Sequence, residues 1–535
     1  MDTNQGMGAT AEVGAFDEVS GQATYGLMAV HGRASGRPQR IGVDYLTAAV
    51  RIVAAQGERA AELSRLRGQP VDRVTVDPAA VALLTVSQYL AAATAEDAEH
   101  VEPGGRRDGT PPPFCTIDGV RVELETLDPQ PWWSLWTALR VPGRPVDIGW
   151  RAFVSRYATA AAPLPAELHE AVAAVTFAEL SEAAAAAGVA VQPVRTHAER
   201  LSDPDLAAEP WSLSLTNDMV SPLEPAHPGG LPLAGMIVVE AGRRVQGPLA
   251  AHLLGHLGAR VVRIEPVGGD PLRGMPPMVG DCSARFRALN RGKHVVEVDL
   301  RSAAGQDTVR ELAAVADVFL HNWAPGKAAA FGLDSTDLAK INPRLVYAYA
   351  SGWGDFRGPD APPGTDFTVQ AYAGLGEHLR PAGSPAAGSL MTLLDVLGGL
   401  VAADGVLAAL VARHTDGRGR RMDSSLLTAA GVLQGPRWRG EQQARPLWGP
   451  LETPLATRDG YVVAARTSAA CLDPALPVAL ADATTEEALR VLRADGVPAV
   501  RVCTDLAELS TSPAVRPLLD RDGCALVRAP WRFLP

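Results

Sequence analysis

The chain has 535 residues, with 49 basic against 60 acidic side chains and a formal charge of −11, a balance that excludes a general nucleic-acid binder. Hydrophobic residues at 47% and charged ones at 20% supply enough apolar surface for sizeable cores and too little charge for a largely disordered chain. At roughly 150 residues per domain, the length predicts three or four units.

Residues 1–20 are polar and acidic, without a basic start or an apolar run, and read as a flexible N-terminus; no uncharged stretch of about twenty apolar residues follows. A cytoplasmic location is therefore expected, with neither a membrane nor nucleic acid as partner. Five scattered cysteines, Cys115, Cys282, Cys471, Cys503 and Cys524, lack CxxC spacing and read as free thiols.

Past residue 20 the chain repeats itself. Val43-Asp44 precedes a long Ala-rich helix ending at Arg65 and then a polar strand over 71–76; Leu394-Asp395 precedes one ending near Arg413 and then a strand over 420–423. The aspartate-to-arginine spacings differ by about one helical turn, so Asp44 need not occupy the place of Asp395. A second pair of blocks matches as well. Thr116-Ile-Asp-Gly and Thr457-Arg-Asp-Gly each open a turn and an alternating strand, and each is followed by an Ala/Leu-rich helix, a glycine (Gly188, Gly496) and a short β-branched strand. Residues 102–113 read as a flexible segment and 222–232 as the main linker.

Between the repeats lies a single-copy stretch beginning at 233. It reads as a strand at 236–240, a glycine turn, a helix at 248–257 and a strand at 260–265, then further strands at 295–300, 318–320 and 345–350 alternating with helices. This is an α/β doubly wound pattern, with a Rossmann-like large domain over 233–436 and smaller α+β domains. Residues 21–221 form a partial copy without the nucleotide-binding segment, and 437–535 a shortened small domain.

Taken singly, the local motifs are weak. Gly242-Arg-Arg-Val-Gln-Gly247-Pro248 carries neither GxGxxG nor a P-loop. His252 and His256 have metal-ligand spacing without a third ligand and read as packed or surface helix positions. No GxSxG surrounds a serine. Trp132, Trp133 and Trp136 have helical spacing and read as core, and Arg418-Gly-Arg-Arg421 as a solvated edge.

The motifs taken in order say more. Gly247-Pro248, Gly258-Ala259, Glu265-Pro266, Gly269-Asp270-Pro271, Leu289-Asn290-Arg291, Asp299-Leu300, Asn322-Trp323, Phe331-Gly332-Leu333, Ser351-Gly352-Trp353-Gly354, Gln370-Ala371 and Leu394-Asp395 resemble the class III CoA-transferase family (CaiB/BaiF), which includes formyl-CoA and carnitine CoA-transferases and α-methylacyl-CoA racemase. The resemblance implies an enzyme moving CoA between carboxylic acids, with acyl-CoA and a carboxylic acid as substrates and no metal or redox cofactor. Family members form interlocked dimers, so either a homodimer or an internally pseudo-dimeric monomer is expected.

By the same resemblance Asp395 is the nucleophile, and Gly398 and Gly399 are candidates to present backbone N–H groups to a developing oxyanion. The local alternative for Asp395 is an N-cap. CoA would lie against Val298, Asp299, Leu300, Arg301, Asn322 and Trp323, with Arg263, Lys293 and Lys327 meeting phosphates. Two departures stand out. Ala330 replaces the arginine usual before Phe331, and Gly364-Thr365-Asp366 replaces the Gly-His-Asp of the racemases, which disfavours α-proton exchange. An acyl-CoA isomerase with altered bases and an inactive CoA-binding scaffold are the alternatives. The family's Gly-rich lid is not apparent between 433 and 457.

Overall fold

A computed structural model describes residues 10–98, 109–203, 206, 209–220, 230–358, 361–434, 448, 450–465 and 475–535. Residues 435–447 of the lid region, 222–229 of the main linker, 102–108 of the flexible segment and Cys471 lie outside the described residues.

Seven strands form the largest sheet, in the spatial order His294–Glu297, Arg260–Glu265, Ile237–Ala241, Val318–His321, Val346–Ser351, Arg420–Ser425 and Trp211–Leu215. The first six are parallel, and in chain sequence they run 3-2-1-4-5-6, the doubly wound Rossmann order. Strands such as Val346–Ser351 are apolar on both faces because helices cover both sides of the sheet. The seventh strand, Trp211–Leu215, runs antiparallel and comes from the N-terminal half, so the partial copy read over 21–221 ends inside the large domain's sheet.

Against this sheet lies the helix Leu393–Asp416. It is long and apolar enough by composition to cross a membrane, yet 94% of that apolar window is buried inside the fold. It packs along the other long helix, Tyr45–Leu66. The Tyr45 hydroxyl donates to the Leu393 carbonyl (3.2 Å), Gln56 Nε2 to the Leu400 carbonyl (2.6 Å) and Arg59 Nε to Asp404 Oδ1 (2.9 Å). Each Leu or Val buried here contributes about 1.5–3 kcal/mol, against about 1 kcal/mol net for a hydrogen bond. The apolar seam therefore supplies most of the adhesion, and the polar contacts set its register.

The repeated small units fold alike. Phe114–Cys115, Arg121–Glu125 and Ala190–Pro193 form one antiparallel sheet; Leu455–Thr457, Gly460–Ala464 and Ala499–Arg501 form the other, in the same order. Helices Phe177–Ala187 and Thr485–Ala494 each start on a capping box, Thr176 with Glu179 and Thr484 with Glu487. Asp118 accepts from the Phe177 amide (3.0 Å) as Asp459 does from the Thr485 amide (2.6 Å). Gly188 (φ +79°) and Gly496 (φ +71°) then turn the chain in the left-handed region.

The strand leaving each small unit closes the sheet of the opposite half. Trp211–Leu215 pairs with Arg420–Ser425, and Trp531–Leu534 pairs antiparallel with Arg73–Val76, which also pairs in parallel with Ala11–Val13. Both strands open on a tryptophan whose indole N–H donates into the long helix of the other half, Trp211 to Asp404 Oδ2 (2.8 Å) and Trp531 to the Val53 carbonyl (2.7 Å). The internal duplication is thus a reciprocal exchange. Within residues 1–20, read as flexible, Ala11–Val13 is held as a sheet strand and Glu18 begins the helix Glu18–Thr24.

Candidate active site

Thr392, in the left-handed region (φ +52°), leads into the helix Leu393–Asp416 and places Asp395 in its first turn, only 8% exposed. The Asp395 amide donates to Asp366 Oδ2 at 2.6 Å. Asp366 is itself pinned by the side-chain amide of Gln370, which is tied in turn to both backbone groups of Ser389. Asp44, the counterpart in the first copy, sits one step outside its helix as the N-cap. Among the described residues no hydrogen bond or ion pair engages the Asp395 carboxylate. Burial pushes Asp395 up to about 6; the Arg244 charge draws it down and Glu125 pushes it up. Burial and the Asp395 charge also raise Asp366, well above the usual carboxylate range. Asp366 therefore keeps its proton to higher pH than it would without its charged neighbour.

Beside this pair stands a cluster that joins the two halves of the chain. Arg244 follows the strand Ile237–Ala241 with φ +63°, a strained setting for a non-glycine residue, and its guanidinium carbon lies 4.5 Å from the centroid of the Tyr157 ring. The Tyr157 hydroxyl donates to Glu125 Oε2. Arg156 Nη2 reaches both Glu125 oxygens at 3.1 Å, with both side chains wholly buried. Thr365 Oγ1 donates to the same Glu125 Oε2 at 2.5 Å. Glu125 ends a strand of the first small unit, and Arg156 and Tyr157 end the helix Gly143–Thr159. Through Glu125, a charge of the first half thus acts on the carboxylate of the second.

Gly398 and Gly399 lie more than a turn inside the helix, where helical geometry commits their N–H groups to the carbonyls four residues earlier. Their role is close packing rather than the expected amide donation: a Cβ at 398 would stand 2.9 Å from Gln246 Nε2, and one at 399 would stand 2.9 Å from the Gln246 carbonyl oxygen.

Two of the expected phosphate-binding cations are also engaged elsewhere. Arg263 is buried among carboxylates, with Nε 3.1 Å from Glu265, Nη2 2.6 Å from Asp270 and Nη1 on Glu240. Lys293 Nζ meets Glu240 Oε2 (2.7 Å), the Pro248 carbonyl (2.8 Å) and Asn290 Oδ1 (2.8 Å). Neighbouring parallel strands carry Glu240 and Glu265, Asp270 follows as the cap of the next turn, and the two cations neutralise these acids without their side chains reaching the surface.

The remaining expected CoA residues sit at the carboxyl ends of the sheet strands. Asn322 spans the point where the strand order reverses, accepting from the Arg243 amide (2.8 Å) and donating to the Arg243 carbonyl (2.9 Å). Trp323 packs edge-on against Phe331 at 5.4 Å. Val298 is core and Leu300 rests on that core. Asp299 accepts from the Arg301 amide (3.0 Å). Asp299, Arg301, Lys327 and Arg243 are exposed.

A model of CoA-transferase family III matches residues 3–225 and again 233–469. The chain belongs to CoA-transferase family III. A crystal structure of a CaiB/BaiF family protein from Brucella suis superposes with a TM-score of 0.51 at 26% identity, over 57% of this chain and 93% of that one. Acetyl-CoA:oxalate CoA-transferase of Acetobacter aceti is 38% identical over 205 residues, 38% of this chain and 52% of that protein. Succinyl-CoA:glutarate CoA-transferase of Homo sapiens is 31% identical over 249 residues, 43% of this chain and 56% of that protein. The chain thus spans about half the length of these curated relatives. Within the family fold, Arg244, Glu125, Arg156 and Tyr157 are site residues that sequence reasoning missed. The available signal was Glu123 and Glu125 at period two on the strand Arg121–Glu125, with Glu125 fully buried.

Proposed function

We propose that this family III protein moves CoA between carboxylic acids through Asp395. The observation that carries this reading is a buried carboxylate with raised proton affinity, free of hydrogen-bond and ion-pair partners among the described residues and within electrostatic reach of Arg244 and of Glu125 from the first half of the chain. The names of the matched relatives support it.

In this reading an Asp395 oxygen attacks the thioester carbonyl of the donor acyl-CoA; the new C–O bond gives an acyl-aspartyl anhydride, the C–S bond breaks and CoA leaves as thiolate. The thiolate attacks the aspartyl carbonyl and releases the donor acid, leaving an aspartyl-CoA thioester. The acceptor carboxylate then attacks that thioester, forming a second anhydride and freeing thiolate. Thiolate takes the acceptor acyl group and restores Asp395. Charge balances at each step, and no metal or redox group enters. An anhydride hydrolyses readily, so the burial of Asp395 serves by excluding water. Asn322 and Trp323, with the exposed cations Arg243, Arg301 and Lys327, offer the CoA moiety a surface at the strand ends.

Mixing the protein with an acyl-CoA and trapping with hydroxylamine should place a hydroxamate on the peptide containing Asp395, and Asp395→Ala should abolish transfer. Undiminished transfer by that variant would remove Asp395 from the mechanism.

A further inference from the structure

A second polar cluster adjoins Asp395 through Thr392. The helices Ser87–Ala93 and Ala284–Asn290 pack against each other, one carrying Tyr89 and the other Arg285. Arg33, on the short turn Gly32–Ser35, places its guanidinium carbon 5.2 Å from the centroid of the Tyr89 ring. Arg285 Nε donates to the Ala158 carbonyl (2.9 Å) and Arg33 Nη1 to the Thr159 carbonyl (3.3 Å), adjacent residues at the end of the helix whose Tyr157 meets Arg244. Among the described residues the electrostatic neighbours of Arg285 are Arg33 and Tyr89, with no carboxylate, and burial followed by the Arg33 charge pulls it down to about 10.

Three buried polar atoms here have no hydrogen-bond partner among the described residues: Arg285 Nη1, the Tyr89 hydroxyl and the Thr392 hydroxyl. Tyr89 is 2% exposed and Thr392 is fully buried. The two hydroxyls are near enough for Thr392 to ease ionisation of Tyr89, yet they miss hydrogen-bond geometry with each other. Burial remains the largest influence on Tyr89 and keeps it a protonated donor. Unmet donors and a desolvated cation without an acid carry a cost that an anion would remove.

We infer that Arg285, Arg33, Tyr89 and Thr392 form an oxyanion subsite beside Asp395 that receives the second carboxylate of a dicarboxylic acid substrate. This rests on the transferase reading and names its substrate class. Every group in the cluster is a donor, and a carboxylate presents about four acceptor positions. A CoA phosphate offers the same chemistry. The location favours the acid, because Thr392 lies three residues before Asp395 while the exposed cations Arg301 and Lys327 lie at the sheet's strand ends.

The test compares succinate with butyrate as acceptors from one acyl-CoA donor. The wild-type protein should prefer succinate, and Arg285→Gln should cut the succinate-to-butyrate ratio of kcat/KM by about a hundredfold. Arg285→Lys and Tyr89→Phe, milder changes, should cut it by about tenfold. A ratio unchanged in all three variants overturns the subsite. Loss of CoA affinity at constant ratio reassigns the cluster to a cofactor phosphate and also overturns it. Thermal stabilisation gives a reading that needs no turnover: succinate, but not butyrate, should raise the melting temperature of both the wild type and Asp395→Asn, and should fail to do so in Arg285→Gln. Stabilisation by succinate without any transfer would uphold the subsite while refuting the transferase. Equal stabilisation by both acids would refute the subsite alone.

Discussion

Asp395 and Asp366 meet through a backbone amide and a carboxylate oxygen 2.6 Å apart, so the acid that anchors the start of the helix has its own proton affinity raised by the acid beside it. A desolvated carboxylate in a helix first turn costs stability whenever it is charged, and that is the state in which it can attack a thioester.

Asp395→Asn should therefore lose transfer by at least about a thousandfold while melting a few degrees higher at neutral pH. The folded Asp395 binds its proton more tightly than the unfolded chain does, up to about pH 6. Its favourable contribution is complete below the unfolded carboxyl pKa and is lost as pH rises through the folded value. The melting gap between variant and wild type should widen over that same interval; a gap independent of pH would contradict the assignment.

Removing the Arg244 charge acts in the opposite sense. Arg244 draws the Asp395 proton affinity down, so Arg244→Gln should shift the acid limb of kcat/KM, set by deprotonation of Asp395, to higher pH. Profiles of the two proteins recorded at the same ionic strength check this.

Glu125 and Arg156 are both wholly buried. Glu125→Gln leaves a guanidinium without its counter-charge and should cost about 3–5 kcal/mol, read from urea unfolding at constant slope. Adding Arg156→Met should recover more than half of it, since an apolar side chain tolerates the vacated site better than a lone cation does.

Trp531 fills the seam under the exchanged C-terminal strand, 5% exposed, with its indole on the Val53 carbonyl. Trp531→Ala should cost about 3–5 kcal/mol. Protection of the Arg73–Val76 amides against hydrogen exchange should fall with it.

What the sequence disclosed follows from the range of each interaction. The Asp-Gly turns at 118 and 459, the glycines at 188 and 496 and the strand-helix alternation from 236 are local signals, and each appears in the fold as read. Arg263 and Lys293 were misassigned because a basic residue near a phosphate-binding turn looks the same whether or not an acid meets it; Glu240 lies 53 residues from Lys293, and even Glu265 and Asp270, two and seven residues from Arg263, do not announce in sequence that their side chains turn toward it. Glu125 was missed for the same reason at longer range, its Thr365 partner standing 240 residues away. Gly398 and Gly399 were read as donors because the boundary of a helix is the least legible part of a sequence.

The crossed strands Trp211–Leu215 and Trp531–Leu534 have a kinetic consequence. Because one polypeptide carries both lobes, their docking is first order: it proceeds at the same rate in dilute and concentrated solution, at an effective molarity fixed by the connecting chain. Diluting the protein cannot by itself uncover Asp395 through separation of these lobes.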